Sequence, residues 1–127
     1  MSHFSQIKTQ IRNLATLQSI LTHLGITWKP DGAVRGYHGA TVTAAVVIPQ
    51  DNGYDLGFCW NGKEYELVTD MQYWQQPWTV EGFLQRVTQR YAIATVTQAS
   101  EQQGFNVVQQ QPQADGSVRL VLERWHG

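Results

Sequence analysis

The dipeptide Asn61-Gly62 lies in the middle of 55-DLGFCWNGKEYELV-68, where large hydrophobic residues recur at every second position on both sides of it. Asn-Gly favours a two-residue type I′ turn, which requires positive φ at both positions. The segment therefore predicts a β-hairpin with Trp60 opposite Lys63 and a firm register, because a slip of one residue would bury glutamates. The expected hydrophobic face carries Leu56, Phe58, Trp60, Tyr65 and Leu67, with Phe58 opposite Tyr65 and Leu56 opposite Leu67.

The other face of this predicted hairpin carries Cys59, Glu64 and Glu66. Two carboxylates at positions i and i+2 of a strand lie roughly 6–7 Å apart, a spacing compatible with acid–base catalysis. A solvated acidic edge that contacts a partner is the alternative interpretation, and we favour it. The predicted register places Glu64 opposite Cys59, where a carboxylate would raise the pKa of the thiol and disfavour a nucleophilic cysteine.

Residues 5–24 have hydrophobic side chains at three- and four-residue steps, which predicts an amphipathic helix. Ser2 or Ser5 is the expected N-cap, and Gly25 is the expected residue just after the helix. The glycines and proline that follow indicate a loop, after a short strand at Ile26 and Trp28.

Residues 79–103 predict a second, longer helix that ends before Gly104. Thr79 is a good N-cap residue. Trp78 and Phe83 then have the N′ and N4 spacing of a hydrophobic staple, in which two side chains pack across the start of a helix.

Residues 42–48 alternate and predict an interior strand, with Val42, Ala44, Val46 and Ile48 on one face. Two further strands are predicted from Phe105 to Gln110 and from Val118 to Trp125. Strands in hairpins combined with two helices indicate an α+β fold. We therefore expect residues 1–127 to form a single two-layer domain, an antiparallel sheet of about five strands with two helices on one face.

The stretch 72-QYWQQPWTVEGFL-84 places Tyr73 beside Trp74. In an extended segment neighbouring side chains point to opposite sides, so we expect one of these rings to lie near the surface. Tyr and Trp are common in the residues that dominate protein interfaces. Tyr73 and Trp74 are therefore candidate partner contacts.

The loop 35-RGYHG-39 concentrates Arg35, Tyr37 and His38 between glycines. It is the loop of this chain that most resembles a binding site, because loops carry many binding residues. An anion or a carboxylate-bearing partner is one expected ligand. The alternative is an ordinary glycine loop in which Arg35 pairs with a local acidic residue.

Composition narrows the classes of function. Charged residues make up 15% of the chain and the net charge is −1, so the overall field disfavours nucleic-acid binding and permits self-association into a homo-oligomer. Cys59 is the only cysteine, which fits a reducing compartment. The four histidines are far apart, and no pattern indicates catalytic residues, a cofactor or a metal site.

Several long segments resemble the hypothetical chloroplast reading frame thirty-five family of cyanobacteria and plastids. They include 34-VRGYHG-39, 51-DNGYDLGF-58, 60-WNGKEYELV-68 and 71-MQYWQQPWTVEGFLQRVTQRYA-92. The resemblance covers nearly the whole chain and implies a cyanobacterial cytoplasm or a chloroplast stroma rather than a particular reaction. At position 38 the family leads us to expect arginine, so His38 departs from its pattern.

Together these features favour a non-enzymatic accessory or regulatory protein that acts by protein–protein contact. The expected contact residues are Arg35, Tyr37, His38, Tyr73, Trp74, Glu64 and Glu66. An RNA-binding module is the first alternative, because small α+β sheets with surface aromatics bind RNA. A small-molecule enzyme with an unrecognised site is the second.

Overall fold

The computed structural model describes residues 3–124, which form an α+β fold with two sheets. In chain order the elements are β1 (Ser5–Lys8), α1 (Leu14–His23), β2 (Lys29–Arg35), β3 (Thr41–Ile48), β4 (Leu56–Trp60), β5 (Tyr65–Thr69), α2 (Val80–Gln102), β6 (Phe105–Pro112) and β7 (Val118–Arg124).

The main sheet has five antiparallel strands in the order β1-β5-β4-β3-β2. Both helices pack on one face of it, because their buried residues share one hydrophobic core with the strands. That core contains Leu17, Ile20 and Leu21 of α1, Val80, Phe83 and Val87 of α2, and Val46, Ile48, Leu56, Phe58, Tyr65 and Leu67 of the sheet. The predicted two-layer α+β architecture is confirmed.

The first predicted helix begins later than the sequence suggested. Residues 5–8 form β1 and pair with β5, with Ile7 opposite Leu67. The helical spacing was misleading because Ile7 and Ile11 reach the same core from a strand and a connection. Asn13 is the N-cap, and its Oδ1 accepts a hydrogen bond from the Thr16 N–H at 3.0 Å. Ser2 lies outside the described residues.

The second helix matches its prediction. Thr79 is the N-cap, and its hydroxyl accepts a hydrogen bond from the Gly82 N–H at 3.0 Å. The rings of Trp78 and Phe83 lie 6.3 Å apart, as expected of a hydrophobic staple.

The hairpin exists, but its register differs by two residues from the prediction. Trp60 pairs with Tyr65, and Phe58 pairs with Leu67. Asn61 accepts backbone hydrogen bonds from both Lys63 and Glu64, so the turn contains four residues, and Gly62 has positive φ while Asn61 does not. A shift of two residues keeps the side chains of β4 and β5 on their predicted faces, whereas Glu64 lies in the turn.

The segment from Lys29 to Arg35 is an edge strand, although its proline and glycine indicated a loop. An edge position tolerates proline because the missing N–H faces no strand. Val34 in this strand is fully buried, together with Ala44 and Val47, on the face of the sheet away from the helices. The strict alternation predicted for residues 42–48 is therefore wrong at Ala44.

β6 and β7 form a second, two-stranded sheet and do not join the first one. They pack against α2. Trp125, the predicted end of the last strand, lies outside the described residues. Within residues 3–124, neither helix combines the length and hydrophobicity needed to cross a bilayer.

Gly57 allows the strands to pack closely on the face away from the helices. A Cβ at this position would collide with Val34 Cγ2 and lie 3.0 Å from Ala44 Cβ and 3.2 Å from the Val46 carbonyl oxygen. We therefore expect Gly57→Ala to lower the free energy of unfolding by about 1–3 kcal/mol, the usual cost of overpacking. Urea unfolding followed by circular dichroism measures this.

The matched control is Gly32→Ala in β2. A Cβ there would make an ordinary contact, 3.4 Å from Val47 Cγ2. Equal losses of stability in the two variants would contradict the close-packing explanation.

Candidate partner-binding surface

Three tyrosines from separate parts of the chain stack on the surface. The rings of Tyr54 and Tyr73 lie 3.8 Å apart and nearly parallel, at 11°. Tyr37 lies beyond Tyr73, with centroids 6.4 Å apart and an angle of 12°. All three side chains are half-buried. We call Tyr37, Tyr54 and Tyr73 the tyrosine cluster.

Gln50 holds two of the segments that carry this cluster. Its buried side-chain amide donates hydrogen bonds to the carbonyl oxygens of Tyr54 and Tyr73. Its side-chain oxygen accepts from the Gln75 N–H at 2.9 Å and from the Gln76 side chain at 3.0 Å. One buried amide therefore fixes the backbone on both sides of the Tyr54–Tyr73 stack.

The turn between β3 and β4 adds a second link to the same carbonyl group. The Asn52 side chain donates to the Tyr73 carbonyl oxygen at 2.9 Å and accepts from the Tyr54 N–H at 3.0 Å. Asn residues often bond to the backbone two positions ahead in this way. The turn thus orients Tyr54 toward Tyr73.

Arg35 and Asp55 form an ion pair that joins the end of β2 to the start of β4. The guanidinium donates to both carboxylate oxygens, at 2.8 Å and 2.7 Å. The backbone N–H groups of Arg35 and Gln50 also donate to this carboxylate. Asp55 is 3% exposed, whereas the Arg35 side chain is 55% exposed. The pair therefore has one buried member and one that solvent and a partner can reach.

These contacts set the ionisation of the pair. Burial alone raises the pKa of Asp55, but the hydrogen bonds from Arg35 and Gln50 outweigh it and bring the pKa below its ordinary value. The hydrogen bond to Asp55 raises the pKa of Arg35. Partial burial, Tyr54 and the charge of Asp70 raise the pKa of Tyr73. At neutral pH the surface therefore presents a charged guanidinium beside a protonated Tyr73.

The loop that carries Tyr37 has an uncommon backbone conformation. His38 adopts φ 54° and ψ 36°, a left-handed conformation in which histidine is enriched among non-glycine residues. Its ring meets the edge of Tyr37, with centroids 4.0 Å apart. The loop closes through a hydrogen bond from the Gly36 N–H to the Ala40 carbonyl oxygen at 2.8 Å.

The structure therefore brings together four of the residues singled out in the sequence: Arg35, Tyr37, His38 and Tyr73. Trp74 points the other way, as expected for a neighbour of Tyr73. Its ring packs edge-on against Phe83 at 5.4 Å, and its indole N–H donates to the Trp78 carbonyl oxygen at 2.7 Å. Trp74 thus supports the core at the start of α2.

Glu64 and Glu66 lie apart from the tyrosine cluster. Glu64 belongs to the turn between β4 and β5 and borders an open cleft of about 820 Å³ with Lys8, Arg12 and Lys63. Glu66 lies in β5, opposite Cys59. The sequence placed both carboxylates on one strand face, and the four-residue turn separates them.

Cys59 has a suppressed thiolate, but Glu64 is not the cause. Burial raises the pKa of the Cys59 thiol, and the carboxylate of Glu66 raises it further. The thiol also donates to the Thr43 carbonyl oxygen at 3.4 Å. Within residues 3–124 no group of three or more His, Cys, Asp or Glu side chains is arranged to hold a metal ion.

Sequence reasoning missed the residues that support the surface: Gln50, Asn52, Tyr54 and Asp55. A local acidic partner for Arg35 was one of the two expectations, but its position at Asp55 was not predicted. One signal was available, because residues 1–38 carry a net positive charge and residues 51–70 a net negative charge. The Arg35–Asp55 pair joins these two segments.

Comparison with known proteins identifies a family and relatives that match nearly the whole chain. It matches a protein family described as "Protein of unknown function (DUF1257)" over residues 20–121, which include the whole tyrosine cluster and its supporting residues. It is 47% identical over 126 residues to "Uncharacterized protein ycf35" of Guillardia theta, covering 98% of each chain. Proteins of the same name from Pyropia yezoensis and Cyanophora paradoxa are each 39% identical over 127 residues, covering 99% and 98% of both chains respectively. No solved structure matches the chain.

Replacing Asp55 with asparagine tests the ion pair and its dependence on pH. We expect Asp55→Asn to lower the free energy of unfolding at pH 7 by about 1–3 kcal/mol, because hydrogen bonds to a charged group are lost while Arg35 can still be solvated. The lowered pKa of Asp55 means that its contribution is present above the unfolded-state pKa and is lost as pH falls through the folded-state pKa. The difference in the free energy of unfolding between wild type and Asp55→Asn should therefore become smaller as the pH falls below about 4.

Urea unfolding at pH 7 and at acidic pH measures both effects. Asp51→Asn, at an exposed position of the same turn, is the matched control and should match wild type at both pH values. If the difference in the free energy of unfolding between wild type and Asp55→Asn stayed constant with pH, a stabilising ion pair of Asp55 with Arg35 would be excluded.

Proposed function

The chain belongs to the DUF1257 family, and we propose that it is a non-enzymatic accessory or regulatory protein that acts by protein–protein contact. In this proposal the contact surface consists of the tyrosine cluster, Arg35 and His38. The compartment is the cytoplasm of a cyanobacterium or the stroma of a chloroplast.

The observation that supports this proposal is the stacking of Tyr54 and Tyr73 at 3.8 Å on a hydrogen-bonded base. Binding costs free energy when side chains must become ordered, and stacked rings on a fixed backbone have lost much of that freedom already. Tyr and Arg are also enriched in the residues that dominate interface energetics. A pre-organised group of tyrosines beside an accessible guanidinium is well suited to bind a partner.

Arg35 favours a partner that carries a carboxylate or another hydrogen-bond acceptor at this position. Its side chain is half exposed although it is paired with Asp55. An arginine has five N–H donors, and the contacts with Asp55 and Gln50 use two of its nitrogens, Nε and Nη2. The remaining donors can bind an acceptor without breaking the ion pair.

RNA binding is the second candidate, and the same stack is the observation that favours it. Aromatic rings that are partly accessible can stack on unpaired bases, as can an arginine side chain. The net charge of −1 argues against it, because affinity for nucleic acid depends on neutralising phosphates.

Affinity purification of the tagged protein from its native lysate, with and without nuclease, followed by mass spectrometry, tests the two candidates. We expect a protein partner that survives nuclease treatment. Tyr37→Ala should reduce its recovery by about tenfold or more, because truncation of an interface hot spot costs about 2 kcal/mol or more.

The matched control is Trp60→Ala, which removes an aromatic side chain that is 49% exposed and lies outside the cluster. It should recover the partner as wild type does. Partners that disappear with nuclease would support RNA binding instead. Equal recovery by Tyr37→Ala and wild type would exclude the tyrosine cluster as the contact surface.

A further inference from the structure

The outer edge of β7 has no strand partner within residues 3–124. β7 pairs with β6 on one side, and together they form a sheet of only two strands. A two-stranded sheet has marginal stability, and an open edge presents backbone N–H and C=O groups that can pair with another strand. The contact with α2 is the support that this hairpin receives from the rest of the described chain.

The hydrophobic face of β7 is incompletely covered. Val118 and Leu120 line a cleft against α2. Leu122, two positions further along the same face, is 42% exposed. Its cross-strand partner is Val107 in β6. A further strand beside β7 would give Leu122 a second neighbour.

The charges of β7 match those of a second copy of the same strand. Arg119 and Glu123 are exposed and lie four residues apart, with Val121 midway between them. If two β7 strands pair antiparallel with Val121 on the two-fold axis, Arg119 of each copy lies opposite Glu123 of the other. Opposite charges at directly paired positions stabilise a sheet. The same register places Leu120 opposite Leu122 on the other face, and it sets Val118 opposite Arg124 at the strand ends.

Neighbouring registers lose this match. A shift of the pairing by two residues toward the C-terminal end places Val121 opposite Glu123 and Leu120 opposite Arg124. A shift by two residues in the other direction places Arg119 opposite Val121. Charged residues often protect an open strand edge from pairing. Here Arg119 and Glu123 lie directly opposite each other only in the register centred on Val121.

We propose that the free edge of β7 is a self-association surface, through which two copies of the chain form a four-stranded antiparallel sheet in the order β6-β7-β7-β6. The two-fold axis is perpendicular to this sheet, so the α2 helices of both copies cover the same face. This proposal uses residues outside the tyrosine cluster and does not depend on the proposed partner contact.

Sedimentation equilibrium over a range of concentrations measures the association. Wild type should form a dimer. Arg119→Glu and Glu123→Arg should each raise the dissociation constant by at least about tenfold, because each replaces two attractive pairs with two repulsive ones. Circular dichroism verifies that the variants remain folded.

A mixture of the two single variants is the decisive sample. In Arg119→Glu both positions 119 and 123 are acidic, and in Glu123→Arg both are basic. A dimer of one copy of each variant therefore has opposite charges at both paired positions, so the mixture should form a dimer that neither variant forms alone. The doubly exchanged chain, with both substitutions, should also dimerise. Arg90→Glu, an equal change of charge at an exposed position of α2, should associate as wild type does.

Three outcomes would overturn the proposal. The first is a wild-type protein that stays monomeric up to about 1 mM. The second is dimerisation of the two single variants at wild-type strength. The third is a mixture that associates no better than its components.

Discussion

The carboxylate of Asp55 is buried, and the arrangement of the candidate surface depends on how its charge is satisfied. Four donors reach it: two from the Arg35 guanidinium and the backbone N–H groups of Arg35 and Gln50. A buried charge without such partners would be strongly unfavourable. These donors belong to Arg35 at the end of β2 and to Gln50 just after β3. The ion pair and its hydrogen bonds therefore fix the positions of these two strand ends relative to Asp55.

Gln50 extends the same network to the segment before α2. Its backbone N–H bonds to Asp55, and its side chain bonds to Tyr54, Tyr73, Gln75 and Gln76. Trp74 follows Tyr73 directly in the chain, and its ring packs on Phe83 in the core. The tyrosine cluster is thus connected on one side to a buried charge and on the other to the helix layer.

The sequence predicted the features that local physical chemistry determines. Thr79, Trp78 and Phe83 identified the start of α2, and the side chains of β4 and β5 lie on their predicted faces. The register of that hairpin was wrong because Asn61 bonds to two backbone N–H groups and widens the turn. β1 was missed because its pairing with the distant strand β5 determines it, and its local pattern also fits a helix. β2 was missed because its proline and glycine also fit a loop.

The candidate site was predictable only in part for the same reason. Loop composition drew attention to Arg35, Tyr37 and His38, and a run of aromatics drew attention to Tyr73. Their proximity depends on the order of strands in the sheet, which a single sequence does not encode locally. Nothing in the sequence distinguishes Gln50 from a surface glutamine, because it stands between Pro49 and Asp51, two residue types common in turns.

We conclude that this buried polar network, rather than contact between the rings alone, holds the tyrosine cluster in place. Nuclear Overhauser effects between the rings of Tyr54 and Tyr73, recorded in wild type and in Gln50→Ala, test this directly. We expect strong ring-to-ring effects in wild type and their loss in the variant, while contacts between Phe58 and Phe83 in the core persist. Undiminished effects between Tyr54 and Tyr73 in a folded Gln50→Ala protein would contradict it.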